Sequence, residues 1–318
     1  MPPLAVSLVL FSTLLHASWN LLAKRGSGTP ALFPRVLLAV AVPGVLVGLL
    51  GEWRGAALLP EVWPFLLVAG AFQASYFLGL TMGYRTGDLS LVYPLVRALP
   101  VLLVSGFDVL RGQVPGAAGW LGLALVLGGC LLVARPAGAR RTDGSEQRPR
   151  WHGAAIGWAA VAALGTVGYT VADKLAADAI SAAGRAGGVT AFRYGLWEFT
   201  VTAAYYLSSL ALWDRLRRRA AVRSATGAAA PSPFAAEPGR WPAAVLIGTL
   251  MLVTYALVLW AYQMSWQTSY VVALRQFSIV VGVVGGALLL GEAARTARIA
   301  GAVVIVAGVA AITFAGGS

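Results

Sequence analysis

The chain reads as two halves, each holding five long apolar stretches, with the second half echoing the first. Five is an odd number. If every stretch crosses a membrane, the second half enters from the opposite side and lies inverted relative to the first. Apolar runs of about 20 residues, each enough to cross roughly 30 Å of hydrocarbon, fall at about 4–23, 31–51, 62–82, 88–108 and 116–135. Five more lie at about 152–173, 188–211, 241–262, 268–290 and 295–316. A mean hydropathy of +0.76, with 58% hydrophobic and 11% charged residues, is more apolar surface than a soluble core can hide. The expected fold class is therefore an all-α integral membrane protein of ten transmembrane helices in two inverted five-helix repeats. The halves are residues 1–135 and 152–318, joined by a basic linker at 136–151, with a second basic loop at 212–240 inside the later half.

Other readings of these features are weaker. The first stretch resembles a secretory signal in being short and ending in small residues at Ala17 and Ser18, but no basic residue precedes it, and a polar counterpart exists in the second half. Cys130 is the single cysteine, so neither a disulfide framework nor a cysteine metal cluster is expected, and no cofactor is implied. The net charge of +12 is scattered over short loops, which argues against a nucleic-acid surface. With the amino terminus outside, 16 basic residues fall on inward loops and 4 on outward ones (Arg54, Arg111, Lys174 and Arg185). The positive-inside rule then places both termini outside.

The four remaining basic residues, Arg35, Arg97, Arg193 and Arg275, lie inside spans and pair across the repeat. A guanidinium at a helix centre costs about 2.5–3.5 kcal/mol on insertion scales, so each needs a reason. Arg35 and Arg193 are near span starts, and snorkelling to the interface explains them. Arg97 lies about nine residues into its span, about 14 Å deep at 1.5 Å per residue, too far to snorkel easily. For Arg97 and Arg275, a buried ion pair with Glu198 or Asp108 competes with contact to a substrate.

Two further blocks repeat. His16-Ala17-Ser18-Trp19-Asn20 to Lys24 aligns with Thr166-Val167-Gly168-Tyr169-Thr170 to Lys174 at a constant offset of 150. Each copy carries an aromatic, a hydrogen-bonding residue and a lysine four residues later on the same helix face. Interfacial anchoring explains the lysines but not Asn20 or Thr170. Ser75-Tyr76 matches Thr254-Tyr255 in mid-span. With Tyr93 one turn before Arg97, and Gln276 beside Arg275, these residues either line a shared polar cavity or bond across helices without touching a ligand. His16 and Glu198 are the candidates for proton coupling. Glycine spacings such as Gly153 to Gly157 and Gly282, Gly285, Gly286 suit close helix packing, and Pro94 and Pro100 suit a kink or break in span 4.

With these residues in view, the chain resembles the drug/metabolite transporter superfamily, in particular its ten-span members with paired EamA domains. The resemblance rests on Trp19-Asn20 to Lys24, on the echo Tyr169-Thr170 to Lys174, and on the span ends Leu110-Arg111-Gly112-Gln113 and Leu290-Gly291-Glu292. His16-Ala17-Ser18-Trp19-Asn20 is also similar to a subgroup associated with phosphonate utilisation. The resemblance implies a helical bundle with a central cavity working by alternating access on small metabolites. The mid-span arginines depart from the family pattern and point to an anion.

The expected function is secondary transport of a small anionic metabolite. Arg97 and Arg275 would be anion contacts, with Trp19, Asn20, Tyr76, Tyr93, Tyr169, Thr170, Tyr255 and Gln276 lining the pathway. No enzymatic activity is expected; the partners are the small-molecule substrate and membrane lipid, with no nucleic acid and an open oligomeric state. An Ala-, Gly- and Arg-rich chain suggests the inner membrane of a bacterium with a GC-rich genome. A membrane-embedded enzyme acting on a lipid headgroup, or a channel or scramblase, would share the polar interior.

Overall fold

A backbone that must satisfy its own polar groups in hydrocarbon has the helix as its open-ended solution, and this chain takes it almost throughout. The computed structural model describes residues 1–25, 32–54, 57–86, 89–133, 139–140, 146–147, 153–223, 241–290 and 296–315. Among these are eleven helices: α1 (Pro3–Arg25), α2 (Leu32–Trp53), α3 (Leu59–Thr86), α4 (Leu89–Leu110), α5 (Ala117–Val133), α6 (Gly153–Ala182), α7 (Gly188–Arg223), α8 (Trp241–Met264), α9 (Thr268–Arg275), α10 (Phe277–Leu290) and α11 (Thr296–Ala315). A two-residue antiparallel pair, Ala139–Arg140 with Glu146–Gln147, falls in the linker between halves. Among the described residues, seven segments are long and apolar enough to cross a bilayer, α9 and α10 together forming one of them. Large apolar side chains such as Val42, Leu46 and Leu288 point away from the bundle, as lipid-facing residues do.

Helix boundaries follow the apolar pattern closely, with two extensions. The sixth segment continues past residue 173 to Ala182, because Ala176, Ala177 and Ile180 keep an apolar face in the bundle. The seventh continues past residue 211 to Arg223, so the basic loop expected at 212–240 begins as an exposed helical turn. The other parts of both basic linkers lie outside the described residues, as does Gly291-Glu292.

The break expected in span 4 is found in span 9. α4 is continuous through Pro94 and Pro100, whereas the ninth apolar segment divides at Gln276 into α9 and α10. There the ladder tightens: the Gln276 amide N–H donates to Ala273 O at 3.0 Å and the Ile279 N–H to Gln276 O at 2.8 Å. The Gln276 side-chain Nε2 donates to Val272 O at 3.1 Å. Gln276 keeps right-handed helical dihedrals, φ −67° and ψ −13°, so the joint is one tightened turn within a single span.

Close packing comes from glycines other than those expected. A Cβ on Gly165 of α6 would stand 2.7 Å from both Phe72 O and Tyr76 N on α3, so here backbone lies against backbone. Gly122 and Gly129 of α5 meet Gly308 and Gly301 of α11 in the same manner. Gly153, Gly157 and Gly282 have open space around them, and Gly285 meets only Leu21 at ordinary distance. Along with α3 on α6 and α5 on α11, the principal packings are α1 on α8, α2 on α7, and α4 on α6 and α9.

One end of the bundle is tied by polar links. Asp108, fully buried near the end of α4, accepts the backbone N–H groups of Thr268 at 3.0 Å and Ser269 at 2.7 Å, holding the start of α9. Helix α4 then stops at Gly112, whose φ of +74° a side chain would resist. Next to it Arg111 donates to Asp178 at 2.6 Å. Lys174, expected as an interfacial anchor, is buried. Its ammonium donates to Asp178 at 2.7 Å, Tyr262 O at 3.0 Å and Ser265 O at 2.6 Å, which satisfies all three donors inside the protein. Arg193, expected to snorkel, instead pairs with Glu52 at 3.0 Å, and Arg35 is also buried. The side chain of Lys24 lies outside the described residues.

Candidate functional site

The midpoint of the bundle holds a cavity of about 30 Å³, space for about two water molecules, lined by His16, Tyr76, Arg97, Thr166, Tyr169, Arg275 and Gln276 with apolar Val96, Pro100 and Val272. Five elements meet there: α1, α3, α4, α6 and the joint after α9. Both mid-span arginines expected to contact an anion line this one space, although they come from different halves of the chain.

Arg97 donates from Nη2 to His16 Nε2 at 2.7 Å. A guanidinium has no acceptor, so Nε2 accepts and the ring hydrogen is on Nδ1. While that bond holds, Nε2 has no place for a proton. Trp19 packs edge-on against His16, ring centroids 4.9 Å apart and planes at 77°, and thus supports the imidazole from behind. The acidic partners anticipated for Arg97 are engaged elsewhere: Asp108 at α9, and Glu198 against Asp173.

Arg275 lies over the Tyr255 ring, 5.8 Å from its centroid, a cation–π arrangement. Tyr255 is part of an aromatic chain: Tyr76 stands edge-on to Tyr169 at 6.0 Å, and Tyr169 edge-on to Tyr255 at 5.8 Å. Gln276 contributes a buried Oε1 with no hydrogen-bond donor, and Ser278, two residues on, a buried hydroxyl without a partner. Gln276 is the joint itself, and Ser278 lies in the first turn of α10.

Behind the cavity is a fully buried acidic core. Asp173 accepts the hydroxyl of Tyr194 at 3.1 Å and that of Tyr255. Glu198 faces the same carboxyl and the Tyr255 hydroxyl, yet neither of its oxygens completes a hydrogen bond.

Of the residues expected to line the pathway, Tyr76, Tyr169 and Gln276 line this cavity with Arg97 and Arg275. Trp19 and Tyr255 stand one layer back. Asn20 does not belong to the site: it is exposed, and its amide donates to His16 O at 2.7 Å on its own helix. One residue of rotation from Trp19 turns it by about 100°, out of the bundle. Thr170 is buried with an unpartnered hydroxyl away from the cavity lining. The side chain of Tyr93 lies outside the described residues. Asp173 was missed because span 6 was ended on it; the apolar face continuing to Ile180 was the signal that placed it deep.

No family model matches the chain. A protein of Sinorhizobium sp. named "Uncharacterized transporter in cobO 3'region" is 29% identical over 102 residues, 31% of this chain and 72% of the relative. A solved crystal structure superposes with a TM-score of 0.65, covering 97% of this chain and 96% of its own at 18% identity. That likeness speaks for the fold alone. This chain is thus a membrane-type helical protein with a distant relative that is named a transporter.

Proposed function

We propose that the protein is a secondary transporter, not an enzyme, that moves a small anionic organic metabolite by alternating access. The observation that carries this reading is the joint at Gln276: a membrane-spanning segment whose α-ladder is interrupted by one tight turn beside Arg275, at a cavity that Arg97 also lines. Discontinuous helices at the midplane are where transporters of this architecture bind substrate. Two guanidinium groups line this one small space, which favours an anion as the substrate class.

The reciprocal packing supports ten spans in inverted halves, bounded at 1–135 and 152–318. Helix α1 lies on α8 as α6 lies on α3, and α2 meets α8 as α7 meets α3, while α2 with α7, α4 with α9 and α5 with α11 pair across the halves. Resemblance to EamA-type transporters, including the phosphonate-associated subgroup, is consistent with this arrangement. The bacterial relative and the composition support a bacterial inner membrane.

Counterflow in proteoliposomes tests the reading, with a panel of anionic, zwitterionic and cationic metabolites that includes phosphonates. Saturable anion exchange is expected in the native protein and a fall of more than about 100-fold in Arg97→Gln or Arg275→Gln, the scale of losing a charge-assisted contact of about 3 kcal/mol. Exchange of neutral or cationic solutes equally by native and variant proteins would make both arginines structural. Passage without saturation would indicate a channel.

A further inference from the structure

We propose that Asp173 and Glu198 form a proton site, a single proton shared between two carboxyls, whose occupancy sets how much of the Arg275 charge is available to an anion in the cavity. The proton site stands on its own geometry; its coupling to anion movement rests on the transport reading above.

The two carboxyls come from α6 and α7 and are both 0% exposed. Their hydrogen-bond partners are unequal. Asp173 receives two phenolic donors, from Tyr194 and Tyr255, an arrangement that suits an ionised carboxylate. Glu198 receives none that completes, although both its oxygens are buried. An ionised carboxylate without donors, shut off from bulk solvent at 0% exposure, has little to offset its lost hydration. Carrying a proton, it becomes a donor, and Asp173 is the acceptor beside it.

A charge count leads to the same stoichiometry. The titratable and charged groups around the pair are Tyr194 on α7, Tyr255 and Tyr262 on α8, Arg275 at the end of α9, and Tyr169 on α6 beside Tyr255 and Arg275. Arg275 is the one cation of this set. Two ionised carboxyls against one guanidinium leave an uncompensated negative charge in the core. One proton removes it.

The connection to the cavity runs through one ring. Tyr255 gives its hydroxyl to Asp173 and its face to Arg275. With the pair empty of its proton, both carboxylates draw the guanidinium inward. When the proton is bound, that pull is reduced, and the charge is presented on the cavity side, where Arg97 also lies. Proton and anion therefore favour each other's binding, and the coupling is reciprocal by linkage. The expected cargo is an anion moving together with a proton.

Infrared spectroscopy of the purified protein in lipid, without any substrate, reads the proton directly. A carboxylic C=O band that titrates with pH is expected in the native protein and should be absent from both Asp173→Asn and Glu198→Gln. A band surviving in either variant, or no titrating band in the native protein, overturns the shared-proton site. In proteoliposomes, each unit of pH gradient should give about tenfold accumulation of the anion in the native protein, the worth of one proton. In Glu198→Gln the ratio of gradient-driven accumulation to exchange should fall by about that factor. An unchanged ratio overturns the coupling. Absence of exchange in the native protein sinks the transport reading instead, and the infrared result still judges the proton site.

Discussion

Asp108→Ala is expected to destabilise the protein by about 2–4 kcal/mol, because it removes one buried acceptor from two backbone donors at once. The carboxylate holds the Thr268 and Ser269 N–H groups at 3.0 and 2.7 Å, and it sits at 0% exposure, where water cannot replace it. Asp108→Asn keeps an oxygen for one of the two amides and should lose about half as much. Thermal unfolding can be followed with a thiol-reactive dye, since the chain has a single cysteine and Cys130 is 2% exposed until the bundle opens. Equal midpoints for all three proteins would mean that α9 is held by its apolar face alone.

Gly165→Val should be as damaging, for a different reason. The new Cβ would meet Phe72 O and Tyr76 N at 2.7 Å, and these are backbone atoms of another helix that no rotamer change can move. α3 and α6 must separate, at a cost of about 3 kcal/mol, the upper part of the usual range for overpacking. Tyr76 and Tyr169 face each other just beyond this crossing, so anion exchange should fall along with the unfolding midpoint. Gly157→Val, at a position with open space around it, supplies the contrast and should leave both nearly unchanged. Similar losses at the two sites would show that helix propensity, not the crossing, governs these glycines.

The apolar periodicity gave helix positions well because membrane helices are specified by length and hydropathy, both local properties. It could also bring out Arg97 and Arg275, since a cation in an apolar run is conspicuous wherever its partner lies. What it could not supply was partnership. Glu198 and Asp108 were equally plausible neighbours for an arginine, and only tertiary packing directs Asp108 to the α9 amides and Glu198 to Asp173. Lys174 reads as an interfacial anchor in the sequence because the apolar run of span 6 ends at residue 173. Nine more helical residues put it, and Asp173 with it, inside the protein. Asn20 shows the opposite error: a repeat-related position read as shared function, while its helix face turns it outward.

The joint at Gln276 has a consequence for energetics. In a carrier of two inverted halves with equally stiff arms, exchanging the roles of the halves would interconvert states of equal free energy. Here one central arm is a continuous α-helix through Arg97, and its counterpart has a tightened turn at Gln276, beside Arg275. Under the alternating-access reading proposed above, bending is concentrated in one half, and the inward- and outward-facing forms differ in strain even with the cavity empty. Such a carrier has a resting side, and its substrate meets different apparent affinities from the two faces of the membrane.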